Sequence, residues 1–572
     1  MPPLIITALM LFAAVASLPY QYYTALRIIV AAASVNSAII AYRFRKKLLI
    51  LPFIITTILF NPLAPFSLSH GVWIVIDIVC GVFFLVSIFL LKEPTQQKIK
   101  DGQMSKKKFF MRPIFYIPLI LVIFIVIFGG WQAWIAINGN EKLSGTQNAI
   151  PKPVSIIPPL ETGENDLSRA SRSNDWPCWR GPNEDGKSNV TGIIKDFSNG
   201  LKKAWEVNYL CQGKSNVSWS SAAVSGNRLV VPGRDDNDDL VFCLNSLNGE
   251  LIWYGSYKAK TGSSHGPGSR ATPYIDEDRV YTFGRGGDLV CWSLENGKLL
   301  WKRNVEDAGG KEPTWGHSSS PLVYKDKVIV QGGGDALVIA YNKMNGEIIW
   351  KSMKGKAGYA AVISMKIEDA NEILVFQGTG LSCLNPDDGR ELWTAEWQTS
   401  YNVNATTPAV SARLSSPKSD SIVFITSGYG TGCEALKVSQ TKADVLWTNK
   451  TIASHHSDPI IIDGYIYCYS GQSDQNRGSF KCVELETGKE MWSTDAIGWG
   501  TTLYVDGCLL CMDIKGNLFL VEPNPDEFKL ITKFKNALGE VSNPAWTIPV
   551  IANGKLYMRY MQRLICYDIM PQ

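Results

Sequence analysis

The sequence predicts an all-β eight-bladed propeller of four-stranded blades, preceded by an α-helical membrane module of five transmembrane helices. Three observations carry this. Long apolar runs are confined to residues 1–137, a strand–Gly–strand–Trp motif recurs along the second half, and a second hairpin pattern alternates with that motif. At 572 residues the chain exceeds one ordinary domain. Its formal net charge of +4 is too small to imply general attraction to nucleic acid.

Five apolar segments, near 3–19, 24–42, 48–65, 72–91 and 113–137, are each about long enough to cross ~30 Å of hydrocarbon as a helix. The first lacks a basic leading region and is followed by further apolar runs, so it reads as a span rather than a cleaved signal. Lys and Arg cluster in "RFRKK" (43–47) and "KIKDGQMSKKKFFMR" (98–112), whereas "LPYQYY" and "NPLAPFSLS" carry none. Positive charge stays inside, which places the amino terminus in the cytoplasm and everything after about residue 138 outside. The expected layout is a four-helix membrane module at 1–92, a basic cytoplasmic loop at 93–112, a fifth transmembrane helix at 113–137, a flexible linker at 138–174 and the propeller at 175–572. Asp77 and Arg27 are charges within or beside the spans, where they form a functional site, pair structurally or snorkel. The linker is rich in Pro, Ser, Asn and charge without apolar periodicity.

The Trp motif reads "CLNSLNGELIW", "CWSLENGKLLW", "AYNKMNGEIIW", "CLNPDDGRELW" and "CVELETGKEMW", with weaker copies ending at Trp447 and Ile531 and an isolated "AWEV" holding Trp205. A Gly four residues before each strong Trp suits a hairpin turn with positive φ. The second pattern, seen in "TPYIDEDRVYT", "SPLVYKDKVIV" and "DPIIIDGYIYC", also occurs eight times. Two hairpins per repeat make a four-stranded blade, and eight blades make a propeller. The last repeat lacks a fourth strand, which "AWEV" supplies, so the circle leaves no open edge. A Trp at one phase of every blade packs between sheets. Cys243, Cys291, Cys383 and Cys482 recur ten residues before their Trp, as equivalent buried positions do, and free thiols follow.

Two resemblances attach to these motifs. Residues 17–92, through "FNPLAPF" and "WIVIDIV", resemble a family of small bacterial four-helix membrane proteins of unknown function. The repeats, with the leader "DWPCWRGPNEDG" (175–186) and segments such as "SRATP", "WGHSSSPLV", "YNVNATTP", "GYGTG" and "HHSDP", resemble the pyrroloquinoline-quinone-like (BamB-like) propeller superfamily. That superfamily holds both quinoprotein dehydrogenases and a non-enzymatic assembly lipoprotein, so the resemblance implies fold more than function.

A functional site belongs where the segments leading into the innermost strands converge. Three residues before the aligned Pro273, Pro321, Pro408, Pro459 and Pro549, or their equivalents, stand Trp219, Arg270, Ser318, Tyr359, Ala405, His456, Trp499 and Trp546, with His317 and Asn404 adjacent. This aromatic, cationic and amide ring is either a ligand site or the seal of a wide channel mouth. His455 and His456 are adjacent, and on a strand they would face opposite ways, which argues against a shared metal. The resemblance to quinoprotein dehydrogenases implies a Glu and an Asn on calcium, an Asp base, an Arg near the quinone and often adjacent cysteines. Arg270 and Asp458 are available for two of these roles, but the ring has no Glu and the chain no adjacent Cys pair.

The reading that follows is a multi-pass bacterial inner-membrane protein with its propeller in the periplasm or outside. It acts as a non-catalytic binding or assembly scaffold, with a protein, peptide or glycan as partner, no nucleic acid, no metal and no cofactor. A dehydrogenase using pyrroloquinoline quinone with calcium is the alternative, and a ligand sensor is a second one.

Overall fold

The computed structural model contains two units, Met1–Asn140 and Glu141–Gln572. In the first it describes residues 20–43, 45–60 and 70–91 with a few positions between 4 and 11; in the second, 148–154 and 174–571 apart from 214–215, 261–264, 368–369, 412–420 and 473–476.

The first unit contains helices α1 (Tyr20–Arg43), α2 (Lys47–Leu59) and α3 (His70–Leu90). They meet over a core that includes Leu26, Val30, Phe53 and Phe84, where the rings of Phe53 and Phe83 lie 4.8 Å apart. Pro52 removes one backbone donor from α2. Thr56 and Thr57 turn their hydroxyls back onto the carbonyls of Pro52 and Phe53, each at 2.9 Å. Large aliphatic side chains face outward, Leu48 and Leu51 on α2 and Ile28, Val35 and Ile39 on α1 among them. Five spans were expected. Among the described residues only Leu26–Arg43 is long and apolar enough to cross a membrane, with shorter apolar stretches at Lys47–Leu59 and Ile76–Ile88. The expected basic loop at 93–112 and fifth helix at 113–137 lie outside the described residues, as does most of the first segment.

The second unit is an eight-bladed propeller. Its blades span 223–258, 274–304, 322–352, 363–396, 409–449, 460–494, 500–534, and 550–568 together with Lys202–Val207. Each is a four-stranded antiparallel meander, to which blade 7 adds the short parallel strand Lys187–Ser188. The circle closes as the phase of the repeats requires: Lys202–Val207 pairs antiparallel with Arg563–Asp568, Trp205 opposite Cys566.

Each outermost strand carries a bulge at the motif position, one residue before the Trp in seven blades. In blade 7 the bulge falls before Thr532, so Thr532, rather than Ile531, stands at the Trp position. Directly across from the Trp lies the recurrent small residue. Cys243 faces Trp253, Cys291 faces Trp301, Cys383 faces Trp393 and Cys482 faces Trp492. All twelve cysteines are buried and unbridged. Within "CLLC", Cys508 and Cys511 pack into different core clusters, as residues three apart on a strand do.

The tryptophans also tie neighbouring blades together. Each indole N–H donates to a carbonyl at the outer turn of the next blade: Trp205 to Ser246, Trp253 to Leu294, Trp301 to Lys343, Trp350 to Pro386, Trp393 to Ser439, Trp447 to Leu485 and Trp492 to Asn524. Blade 7 has no such indole. There the chain around Phe197 fills the seam, its N–H bonding the Thr532 hydroxyl at 3.0 Å while Ile194 N–H reaches the Ile569 carbonyl at 2.8 Å.

Part of the expected linker is not free. Val154 N–H donates to Leu251 O at 2.9 Å, Gln212 bonds the Asn148 carbonyl, and Ile150 packs on the core.

Candidate functional site

The segments leading into the innermost strands surround a cavity of about 280 Å³. Seven of the eight aligned ring positions line it, namely Trp219, Arg270, Ser318, Tyr359, Ala405, His456 and Trp546. Trp499 does not. It is fully buried behind the wall, its ring 6.5 Å from that of His456.

Three other expected site residues do not line the cavity. His317 lies under the second blade, its ring 5.1 Å from Phe283 and its Nε2 without a hydrogen-bond partner. Burial pushes its pKa down to about 4. Asn404 donates to the Gln377 carbonyl at 2.8 Å and accepts from the Ser427 hydroxyl at 2.8 Å, which locks the lead-in to blade 5. Asp458 points away from the cavity. It pairs with Arg180 at 3.2 Å, both side chains 3% exposed, and accepts the Thr407 N–H at 2.7 Å.

Arg180 belongs to the leader, which crosses the channel at the end opposite the lead-in segments. Asp175 accepts from Ser225, Gly226 and Asn553. Trp176 bridges Val224, and the Pro177 carbonyl accepts from Ile275. Glu184 accepts from the backbone and hydroxyl of Ser364, and the Gly186 carbonyl accepts from Tyr504. Together with Arg180 on blade 6, these bonds hold the leader to blades 1, 2, 4, 6, 7 and 8. Trp179 points into the cavity and donates to the Thr407 hydroxyl at 2.8 Å. The channel is therefore a cup with a tryptophan floor.

The rim is a chain of aromatic rings. Consecutive centroids from Tyr359 through Trp315, Tyr401, Tyr429, His455, His456 and Trp546 to Trp219 are 3.9 to 6.1 Å apart. Arg270 completes the circuit. Its guanidinium donates to the carbonyls of Trp315 and His265, and the latter also accepts from the Trp219 indole at 3.0 Å. Alternation does not separate His455 from His456, because 455–457 is not a strand. Both line the cavity with rings stacked at 3.9 Å. Burial, then the neighbouring His455, His265 and Arg270, hold His456 well below the usual imidazole range. No group of three His, Cys, Asp or Glu residues among the described residues is placed to hold a metal ion.

Period 2 along the lead-in segments would have found Ser320, Ala361 and Thr407, each two residues beyond a ring position. Trp179, Trp315, Tyr429 and His265 come from the leader and from loops, where no repeat phase marks them. No carboxylate lines the cavity among the described residues, and Arg270 is its one permanent charge. What it offers a ligand is aromatic surface, hydroxyls and hydrogen-bond donors.

A family model described as outer membrane protein assembly factor BamB matches residues 237–494. A family of unknown function matches residues 2–89. No curated protein matches the chain by sequence. Among solved structures, quinohemoprotein alcohol dehydrogenase from Comamonas testosteroni is similar at 13% identity and TM-score 0.52, over 71% of this chain and 82% of that one. A europium-containing methanol dehydrogenase is similar at 13% identity and TM-score 0.51, over 67% and 89%. BamB from Moraxella catarrhalis gives 13% identity and TM-score 0.45, over 65% and 98%. At such identities the likeness to the dehydrogenases shows the fold alone. The blades and their register make the second unit an eight-bladed propeller, of which residues 237–494 are similar to the BamB family model, and the chain joins it in sequence to a helical module that matches a family of unknown function.

Proposed function

We propose that this is a membrane-anchored binding protein whose extracytoplasmic propeller holds a small organic anion, or the anionic end of a larger partner, in its aromatic cup without chemically changing it. The observation that carries this reading is the lining of the cup. Four tryptophans, two tyrosines, several hydroxyls and one guanidinium surround a space with no carboxylate. Donors without acceptor anions favour ligands rich in acceptor oxygens, and a guanidinium pairs bidentately with a carboxylate.

The alternative reading, a quinone-dependent dehydrogenase, requires calcium and a carboxylate base. Calcium takes six to eight oxygen ligands, carboxylates prominent among them. The cup presents none, and Asp458 is occupied by Arg180 and the Thr407 N–H. The residues of the cup do not fit calcium-bound pyrroloquinoline quinone. Membrane attachment is supported by the apolar side chains that α1 and α2 turn outward, a surface that lipid covers without cost and water does not. The five-span, amino-terminus-inside arrangement is part of the same proposal.

Tryptophan fluorescence of the full-length protein in detergent, titrated with sugar acids, aromatic carboxylates and pyrroloquinoline quinone with and without calcium, tests it. Calcium-independent binding of an anion that Arg270→Gln weakens is expected. Calcium-dependent quinone binding together with dye-linked alcohol oxidation would sink the reading.

A further inference from the structure

The cup is closed at one end and extended at the other. Trp179 blocks the far end of the channel, so a polymer can put an end into the cavity and cannot thread through it. At the open end the aromatic wall continues outward. Tyr401 is 59% exposed and Tyr429 38%, their rings 6.0 Å apart, with Tyr401 also against Trp315 at 6.1 Å and Tyr429 against His455 at 4.9 Å.

These rings are held there against backbone preference. Tyr401 (φ +65°), Asn402 (φ +59°), Tyr429 (φ +57°) and His265 (φ +55°) all adopt the left-handed conformation that side-chain-bearing residues avoid. The same conformation occurs in hairpin turns elsewhere, at Glu277, Lys325 and Asp506 among others, so at the rim it shows that the surrounding structure fixes where these side chains stand. Neither tyrosine ring is needed to fill the core, since both stand at the rim in solvent.

From these features, and resting on the reading of the cup as an anion site, we infer that the ligand is the end of an acidic glycan chain. Its terminal uronic acid sits in the cup with the carboxylate on Arg270, and the next sugars stack on Tyr401 and Tyr429. A pyranose ring offers a flat C–H face to aromatic rings and an array of hydroxyls to Ser318, Ser320, Thr407 and Thr547, all of which line the cavity. An extended peptide would look for backbone partners instead. The lead-in backbones spend theirs on one another, Trp219 N–H on Ser269 O at 3.1 Å and Tyr359 N–H on Asn404 O at 2.8 Å, and among the described residues the rim presents no strand edge.

The test is a fluorescence titration of the full-length protein in detergent with galacturonic acid, its disaccharide and trisaccharide, neutral galactotriose, and a hexapeptide of Asp and Gly. The trisaccharide acid is expected to bind about tenfold or more tightly than the monomer. Tyr401→Ala, at the exposed rim outside the cavity lining, should erase most of that gain and leave monomer affinity within about twofold. Arg270→Gln should weaken all three acids and leave galactotriose unaffected. Equal, Arg270-dependent binding of monomer and trimer would overturn the chain-end assignment and leave the anion site standing. Tighter binding of the peptide than of any sugar acid would overturn the glycan class, and binding of none of these probes would overturn the inference as a whole.

Discussion

A β-carbon placed on Gly297 would lie 2.5 Å from the indole of Trp253, the motif tryptophan of the preceding blade. Gly249, Gly346, Gly389 and Gly488 meet Trp205, Trp301, Trp350 and Trp447 in the same way. The motif glycine therefore has two duties, a positive φ in its own hairpin and a seat for its neighbour's ring.

Gly297→Ala combines left-handed strain with a clash against a packed indole. It is expected to cost about 2–4 kcal/mol, read as a lowered denaturation midpoint. Gly464→Ala is the control, because that glycine also has positive φ but nothing within 4 Å of the added carbon. Its loss should stay near 1–2 kcal/mol. Equal losses at the two sites would mean that backbone strain alone explains the motif.

Asp458→Asn leaves the buried Arg180 guanidinium without its counter-charge and should destabilise by about 3–5 kcal/mol. Arg180→Met with Asp458→Leu should recover much of that. Since the pair fastens the leader, limited proteolysis of the single variant is expected to cut within residues 174–188 before the blades. Cleavage in the blades first would contradict the clasp.

His317 is buried and neutral, with its pKa held near 4 against an ordinary value of about 6.5. Below pH 6.5 the unfolded chain takes up a proton that the folded one refuses. Stability should therefore be full above pH 6.5 and fall between there and about pH 4, by at most about 3 kcal/mol from this group. His456 adds in the same direction. Denaturant midpoints from pH 7.5 to 4.5 should show the decline, and His317→Phe should flatten it.

Burial raises the thiol pKa of Cys291 to about 11 and those of Cys482 and Cys511 to about 12. A thiol reagent at pH 8 should find these three unreactive in the native protein and all twelve cysteines reactive after unfolding. Rapid native labelling of any of the three would show that its blade opens readily.

The bladed half was legible because every blade solves one packing problem with one pattern, so the phase of Trp, Gly and Cys carried over from copy to copy. Thr532 escaped because blade 7 replaces the indole with the wedge around Phe197. The cup was half legible. Trp219, Arg270, Tyr359, His456 and Trp546 stand at a shared depth in the repeat, whereas Trp179 and Trp315 arrive from outside it. Asp458 and Asn404 sit beside the ring in sequence but are spent on Arg180 and Ser427, partners whose nearness only the closed circle creates.

Closure of that circle sets a timetable for biogenesis. The strand completing the last blade, Lys202–Val207, is made early, and its partner Arg563–Asp568 comes about 360 residues later. Such a long-range pairing is slow to find. The first strand must wait unpaired while seven blades are threaded and stacked, so a chain stopped shortly before residue 563 would carry nearly all of its blades and still have nothing to zip shut.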